Sequence, residues 1–148
     1  MLIGNLEDNV RAWMCAAKQD TPKRVSEMSP QTRELRKKLV AEEIEEFMTA
    51  LDELGKARTD AEKIEALADL DDAICDSIYV LVGTAVSAGI PLEESMQRVC
   101  DSNDSKLFGG KLLKNEFGKV MKPDTFFPPK LEEVIEKHYF DTEDTRKE

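Results

Sequence analysis

The sequence predicts an all-α protein, for three reasons. Residues that favour helices, such as Ala, Leu, Glu and Lys, are plentiful, whereas the 148 residues include only six Phe, two Tyr and one Trp. Apolar residues recur at helical spacing, and capping residues, Gly and Pro separate the segments that carry them. We therefore expect one domain over residues 1–148, built as a bundle of about five helices that is completed by oligomerisation.

The first two helices are predicted from apolar spacing and from capping residues. Helical spacing of apolar residues predicts the first helix over Asn5–Lys18. The second begins with the hydroxyl of Ser29 as an N-cap and with Pro30 at the first helical position. It runs to about Leu54 and ends at Gly55, because glycine is a common C-terminal signal of helices.

The third helix has the clearest boundary signals in the chain. Thr59 and Glu62 have the spacing of a capping box, so this helix should begin near Asp60. It should continue to about Ala88, where Gly89 follows as a C-terminal cap.

The chain after the third helix is predicted to contain two shorter helices. A fourth helix covers Leu92–Asp101, and a lysine-rich loop follows at 102–128, with a loop or small hairpin around Phe117-Gly118. The last helix covers Lys130–Tyr139 and follows two prolines. Residues 141–148 are expected to form a frayed tail.

Acidic residues interrupt the third helix at a place where it otherwise has a buried character. From Ala73 onward the segment is apolar or small almost all round, apart from Asp76. At about 100° per residue, Asp69, Asp72 and Asp76 fall within an arc of roughly 60°. A buried carboxylate is normally paired, hydrogen-bonded or bound to a metal, because an isolated buried charge is unfavourable. We therefore expect Asp76 to be buried and to have such a partner.

The second helix supplies candidate partners in the run Glu42-Glu43-Ile-Glu-Glu46. Its predicted core stripe consists of Val40, Ile44, Phe47 and Leu51. Glu43 lies at the edge of that stripe with Glu46 and Glu42 just beyond, whereas Glu45 points away. Two antiparallel helices with a short link would bring Glu43 and Glu46 opposite the acids of the third helix.

Convergent carboxylates without histidine indicate a hard-cation site for Mg²⁺, with Mn²⁺ as a substitute. Four or five acids converge in this way, with Glu43 and Glu46 opposite Asp72 and Asp76. A solvated, charge-rich helix face is the plain alternative. A di-iron bundle would need Glu-x-x-His pairs, whereas the only histidine, His138, lies near the end of the chain and is interpreted as a surface or packing residue.

These motifs resemble the all-α nucleoside triphosphate pyrophosphohydrolases, the MazG-like and phosphoribosyl-ATP pyrophosphohydrolase-like group, over about Arg33–Pro129. The resemblance rests on EExxE, the acidic third helix with YVLVGTA, and SNDSK. It implies Mg²⁺-dependent cleavage of nucleoside triphosphates between the α- and β-phosphates. The metal ligands that it implies are Glu43, Glu46 and Asp76, with Glu42 as an additional ligand or water-orienting base. In this family the acidic motif of the third helix usually has a glutamate three residues before the position of Asp76. In this sequence that residue is Ala73, so we give the role of the glutamate to Asp72.

The charge distribution suggests how a phosphate substrate is held. The formal charge of −10 argues against nucleic-acid binding, yet Ser105–Lys122 holds five lysines and one glutamate. Asn103 and Lys106 are candidate phosphate contacts by likeness to the family's Asn-x-x-Lys element. Lys111 is a candidate from its charge and position alone, with a solvated surface lysine as the alternative.

The sequence also carries expectations about partners and location. A non-enzymatic helical interaction protein and a phosphoribosyl-ATP pyrophosphohydrolase remain as alternative functions. Excess apolar surface on the second and third helices predicts a homodimer or a dimer of dimers with its interface near the carboxylates. Whether the active site is shared between chains stays open.

The sequence predicts a cytoplasmic protein with no membrane or nucleic-acid partner. It lacks a secretory-signal pattern, and its three cysteines form no motif and are interpreted as reduced packing residues.

Overall fold

The computed structural model describes residues 2–139, with side chains from residue 4 onward. Within that range the fold is all-α with a small sheet, which confirms the predicted class. The elements are α1 (Leu2–Ala16), α2 (Pro30–Lys56), α3 (Asp60–Ala88), α4 (Leu92–Asp104), β1 (Leu107–Phe108), β2 (Lys111–Lys114), β3 (Val120–Met121) and α5 (Leu131–Tyr139). The predicted tail at 141–148 lies outside the described residues.

The described chain divides into two compact units, residues 4–90 and residues 91–139. The first unit contains α2 and α3, which form the most extensive contact between any two elements. The second contains α4, the strands and α5. The expectation that residues 1–148 form a single domain stays a prediction.

Local capping explains where α2 and α3 begin and end. Ser29 Oγ accepts a hydrogen bond from the Thr32 backbone N–H at 3.1 Å, and Thr59 with Glu62 completes the capping box of α3. Gly89 adopts the left-handed conformation (φ 64°) that ends α3. The predicted last residue of α2, Leu54, is two residues short, since α2 continues to Lys56. Gly55 has no positive φ, so it does not interrupt the helix.

The face of α2 that meets α3 differs from the predicted core stripe. Ile44 and Leu51 from that stripe are each 42% exposed, so the predicted stripe is wrong in part. The α2 residues that meet α3 instead recur every seven positions, at Arg36, Glu43 and Ala50. We call this line of contact the seam. The buried residues of α3 along it are small: Ala66, Ala73, Ser77 and Gly83. Small residues let the two backbones approach, and Ser77 Oγ donates to the Glu43 carbonyl at 3.4 Å.

Helix α1 covers one end of the first unit. Its Val10 and Met14 are fully or almost fully buried. Trp13 contacts Tyr79 of α3 edge to face, with ring centroids 6.3 Å apart, which is a favourable geometry for two aromatic rings. Val10 and Met14 are therefore buried, whereas Trp13 contacts α3 but is 56% exposed.

The second unit pairs α4 with α5 and carries a three-stranded antiparallel sheet in the order β1-β2-β3. Arg98 of α4 pairs with Glu133 of α5 at 2.9 Å, and His138 Nε2 lies 3.0 Å from Glu94. The β2–β3 turn is held by Asn115 Oδ1, which accepts from two backbone N–H groups. The lysine-rich segment thus contains a hairpin close to the predicted position.

The structure bears on two further expectations from the sequence, one about the cysteines and one about membrane-spanning helices. Cys15, Cys75 and Cys100 are free and exposed, so their interpretation as packing residues is wrong for the chain on its own. No single helix among the described residues is long and apolar enough to cross a membrane. The pair α3 and α4, taken together across its break, meets that requirement by length and composition alone.

Candidate functional site

An acidic groove of about 500 Å³ runs along one side of the seam between α2 and α3. Carboxylates from both helices line it, with small residues at its floor. Its walls consist of Glu42, Glu45, Glu46, Thr49, Ala50, Glu53, Asp69, Asp72 and Ala73. Because the groove lies beside small seam residues, acids of the two helices can face one another across a short gap.

Glu43 is the acid that the fold constrains most. It lies on the seam itself rather than at its edge, and its Oε2 atom is buried without a hydrogen-bond partner. Burial raises the pKa of the Glu43 carboxyl above its usual value, and the negative charges of Glu46, Asp76, Glu42 and Asp72 raise it further. A carboxylate that lacks a partner and is crowded by others is a group that a cation would stabilise.

The predicted site residues of α2 and α3 therefore come together, but one of them differs from expectation. All four acids that raise the Glu43 pKa were predicted from sequence as ligands or as the base. Asp76, however, is exposed, so its predicted burial is wrong. It lies on the open side of the seam, where no element of the first unit covers it. The apolar α3 side chains Ile74, Ile78 and Leu81 are also exposed in the chain on its own.

Several groove residues were missed by the sequence reasoning. Glu45 was expected to point away from the site, yet it lines the groove. Glu53 also lines the groove, and it follows Glu46 by seven residues, so it falls on the same helix face. Asp69 was placed on the acidic arc of α3 but not assigned a role. A seven-residue spacing is the signal that could have found Glu53, from Glu46, and Asp69, from Asp76; it does not find Glu45.

The donor chemistry of the groove fits a hard divalent cation, but its ligands are not arranged in advance. Carboxylate oxygens without histidine or cysteine are the ligands that Mg²⁺ and Mn²⁺ prefer. Among residues 2–139, no group of three such side chains already stands in a metal-binding arrangement. Glu42 is partly engaged by Lys38, 3.9 Å away in an exposed pair that contributes little. Cation binding would therefore require side-chain rotation, for which exposed carboxylates have freedom.

A comparison with known protein families assigns the region of the chain that contains α2 and α3. The model of the phosphoribosyl-ATP pyrophosphohydrolase family matches residues 10–103, which is more than half of the chain and includes all of α2 and α3. The chain belongs to this family. The family is part of the MazG-like, all-α pyrophosphohydrolase superfamily, so the chain is a hydrolase of pyrophosphate bonds. In a comparison with curated proteins, no sequence matches the chain.

The neighbouring residues Asp72 and Ala73 of α3 occupy different parts of the groove. Ala73 is buried at the floor of the groove, where α2 and α3 approach closely. Asp72, one residue earlier, lines the groove and lies near enough to raise the Glu43 pKa. The groove therefore has an alanine at its floor and the Asp72 carboxylate on its wall at this level.

The predicted phosphate contacts lie in the second unit. Lys106 Nζ donates to Asn103 Oδ1 at 2.8 Å, so these two side chains are brought together. Lys111 begins strand β2 and is exposed. Their contact with substrate stays a prediction.

Removal of the Glu43 charge should stabilise the metal-free protein in a pH-dependent way. Because the Glu43 pKa is raised in the folded state, its contribution to stability is full below the ordinary value near 4.5 and is lost as pH rises through the raised value. Glu43→Gln should therefore raise the melting temperature at pH 7.5 by a few degrees, and this gain should shrink toward pH 4.5. Thermal unfolding with EDTA measures it. Glu34→Gln on the exposed side of α2 is the matched control, and an equal gain from both variants would contradict the assignment.

Proposed function

We propose that this chain is a Mg²⁺-dependent nucleoside triphosphate pyrophosphohydrolase that cleaves between the α- and β-phosphates. The observation that carries the proposal is the unpartnered Glu43 carboxylate, around which acids of two helices gather. A triphosphate and this groove are both strongly negative, so they can associate only when cations lie between them. The family membership supports the bond type, and the groove supports the need for metal.

The chain's own residues divide into three roles. Glu43, Glu46, Asp72 and Asp76 would hold the cation, and a bound divalent cation would supply charge stabilisation and activation of water. Glu42, which lines the groove wall, orients the attacking water and accepts its proton. The side chains that contact the phosphate oxygens are Asn103, Lys106 and Lys111. The two lysines offset the negative charge of the phosphates, which carboxylates cannot do.

Binding of Mg²⁺ should stabilise the folded protein directly. A ligand that binds only the folded state adds about 2.7 kcal/mol at a hundred times its dissociation constant, which is a shift of several degrees in a domain of this size. We expect millimolar MgCl₂ to raise the melting temperature relative to NaCl at equal ionic strength. The rise should be lost in Glu46→Gln and kept in Glu34→Gln. Equal melting temperatures in the two salts for the wild type, with and without nucleotide, would count against the metal site.

The substrate is tested by a panel of ribo- and deoxynucleoside triphosphates with Mg²⁺, in which pyrophosphate and orthophosphate are measured separately. Pyrophosphate release supports the proposal, whereas orthophosphate release would mean a different bond is cleaved. Phosphoribosyl-ATP belongs in the panel as a second candidate, because the matching family is described by that substrate. No turnover of any member would favour a helical interaction protein.

Assembly is proposed from a stripe of exposed apolar residues on α3. The stripe consists of Ile64, Leu67, Ile74, Ile78 and Leu81, and α2 adds Ile44, Met48 and Leu51 beside it. At about 100° per residue, the stripe lies roughly 170° around α3 from Asp69, Asp72 and Asp76, with the seam between them. A contiguous apolar surface of this kind is rare on monomers, so a second copy of the chain covers it. The groove then lies on the side of the helix pair away from the stripe, so this proposed interface differs from the interface near the carboxylates that the sequence predicted.

The predicted oligomer should depend on this stripe. We expect sedimentation at micromolar concentration to give a dimer or a dimer of dimers for the wild type. Ile78→Lys should shift it to monomer, because a lysine there would be buried without a partner in the interface. Phe117→Lys, at an exposed position in the β2–β3 turn, is the control and should not change the mass. A monomeric wild type would refute the assembly.

A further inference from the structure

A second pocket in residues 4–90 is chemically unlike the acidic groove. It has a volume of about 230 Å³ and lies where the connector after α1, the start of α2 and the end of α3 meet. Its walls include Lys18, Gln19, Asp20, Arg36 and Ser87. Arg36 precedes Glu43 by seven residues on α2, so the two sites are separated by about 10 Å along the helix.

Arg36 is an unusual residue in this position because it is a buried cation without a carboxylate partner. It is 6% exposed, and none of the ion pairs found among residues 2–139 includes it. One end of its guanidinium, Nη2, donates to Gln19 Oε1. The other, Nη1, occupies space that exists because Gly83 has no side chain. Its Nε is buried and has no hydrogen-bond partner.

Ser87 supplies a second unsatisfied group in the wall of the same pocket. It is only 1% exposed, and its Oγ has no hydrogen-bond partner. Buried polar atoms are nearly always hydrogen-bonded in folded proteins, because an unpaired buried donor has lost its contact with water. Two residues that line one pocket thus each have a buried donor without a partner, and a ligand with acceptor atoms would satisfy both donors.

The charge of the pocket selects the kind of acceptor. Lys18 and Arg36 are positive, and Asp20 is the one acid in the wall. Asp20 already accepts a hydrogen bond from Thr32 Oγ1 at 2.8 Å. The wall thus has a net positive charge in a protein whose formal charge is −10. An arginine is also well suited to bind oxygen anions, since its planar group donates in fixed directions.

We propose that this pocket binds a small oxyanion, a phosphate or carboxylate group, whose oxygens accept hydrogen bonds from Arg36 Nε and Ser87 Oγ. The site shares no residue with the acidic groove and needs no divalent metal. It is therefore independent of the proposed pyrophosphohydrolase activity, and either could fail without the other.

The test uses inorganic phosphate and acetate as separate probes on the full chain, with EDTA present so that binding through a metal is excluded. We expect one or both to raise the melting temperature in the millimolar range relative to chloride at equal ionic strength. Broadening of the ³¹P signal by wild-type protein reports phosphate binding directly. The stronger response identifies whether the group is a phosphate or a carboxylate.

Two variants locate the response. Ser87→Ala and Arg36→Lys should each weaken binding by about tenfold or more, since each removes a hydrogen bond to a charged group. Ser95→Ala, another buried serine, and Lys37→Met, which removes an exposed charge next to Arg36, are the matched controls and should bind as the wild type does. If Arg36→Lys does not fold, Ser87→Ala decides alone, because it removes an unsatisfied buried group and should be stable. No response to either anion, or an equal response in all variants, would overturn the proposal.

Discussion

Asp76→Asn should reduce Mg²⁺-dependent pyrophosphate release by about a hundredfold or more while leaving the helices intact. Asparagine keeps the shape of the side chain but removes a negative charge that lies near Glu43, as the raised Glu43 pKa indicates. The loss of a metal ligand should exceed the 10- to 100-fold effect typical of residues that only orient ligands. The measurement is kcat/KM for pyrophosphate release, with circular dichroism as the check on folding.

Asp71→Asn is the matched control for this prediction. Asp71 lies on the same helix and is exposed, but it does not line the groove. The control should keep wild-type activity although it removes the same charge. Without metal, Asp76→Asn should be at least as stable as the wild type, because it relieves repulsion within the acidic cluster. Activity retained in Asp76→Asn would contradict the site, and equal losses in both variants would mean that overall charge is responsible.

Helix boundaries could be predicted from the sequence where their signals are local. The capping box of Thr59 and Glu62 needs only neighbouring residues, and it begins α3 at the predicted place. Two glycines that were both predicted to end helices show where local signals fail. Gly89 ends a helix because its backbone is left-handed, whereas Gly55 continues one, and composition does not distinguish them.

The residues in the seam were harder to predict because they depend on which face of α2 meets α3. A hydrophobic pattern points to Ile44 and Leu51, yet the closest approach of the helices requires small partners on α3. Arg36 and Glu43 occupy the seam although both are charged. A search for apolar stripes therefore places Glu43 at the edge and overlooks Arg36. The pairing of acids from α2 and α3 was nevertheless predicted, because antiparallel neighbours joined by a short link must face each other.

Gly89→Ala should destabilise the protein by about 3 kcal/mol or more, the largest stability effect we expect from a single methyl group. Two costs add at this position. Gly89 has φ 64°, a conformation that alanine adopts only with strain. In addition, a Cβ built there would lie 2.5 Å from the carbonyl carbon of Arg24, which is backbone and cannot rotate away. The backbone N–H of Ser26 also donates to the Ala88 carbonyl at 2.8 Å, so displacement of the α1–α2 connector would break this contact.

Urea unfolding measures the loss, and two further variants separate its causes. Gly55→Ala is the matched control, because a Cβ there would meet no atom within 4 Å and the residue lies inside α2. That change should stabilise the protein by about 0.5–1 kcal/mol through helix propensity. Asparagine adopts positive φ more readily than alanine does. If backbone conformation were the main cost, Gly89→Asn would therefore be much more stable than Gly89→Ala. We expect little recovery, because asparagine also has the Cβ that collides with Arg24. If Gly89→Ala were as stable as the wild type, the α1–α2 connector would be able to move away from residue 89 without loss of stability. That result would contradict the prediction.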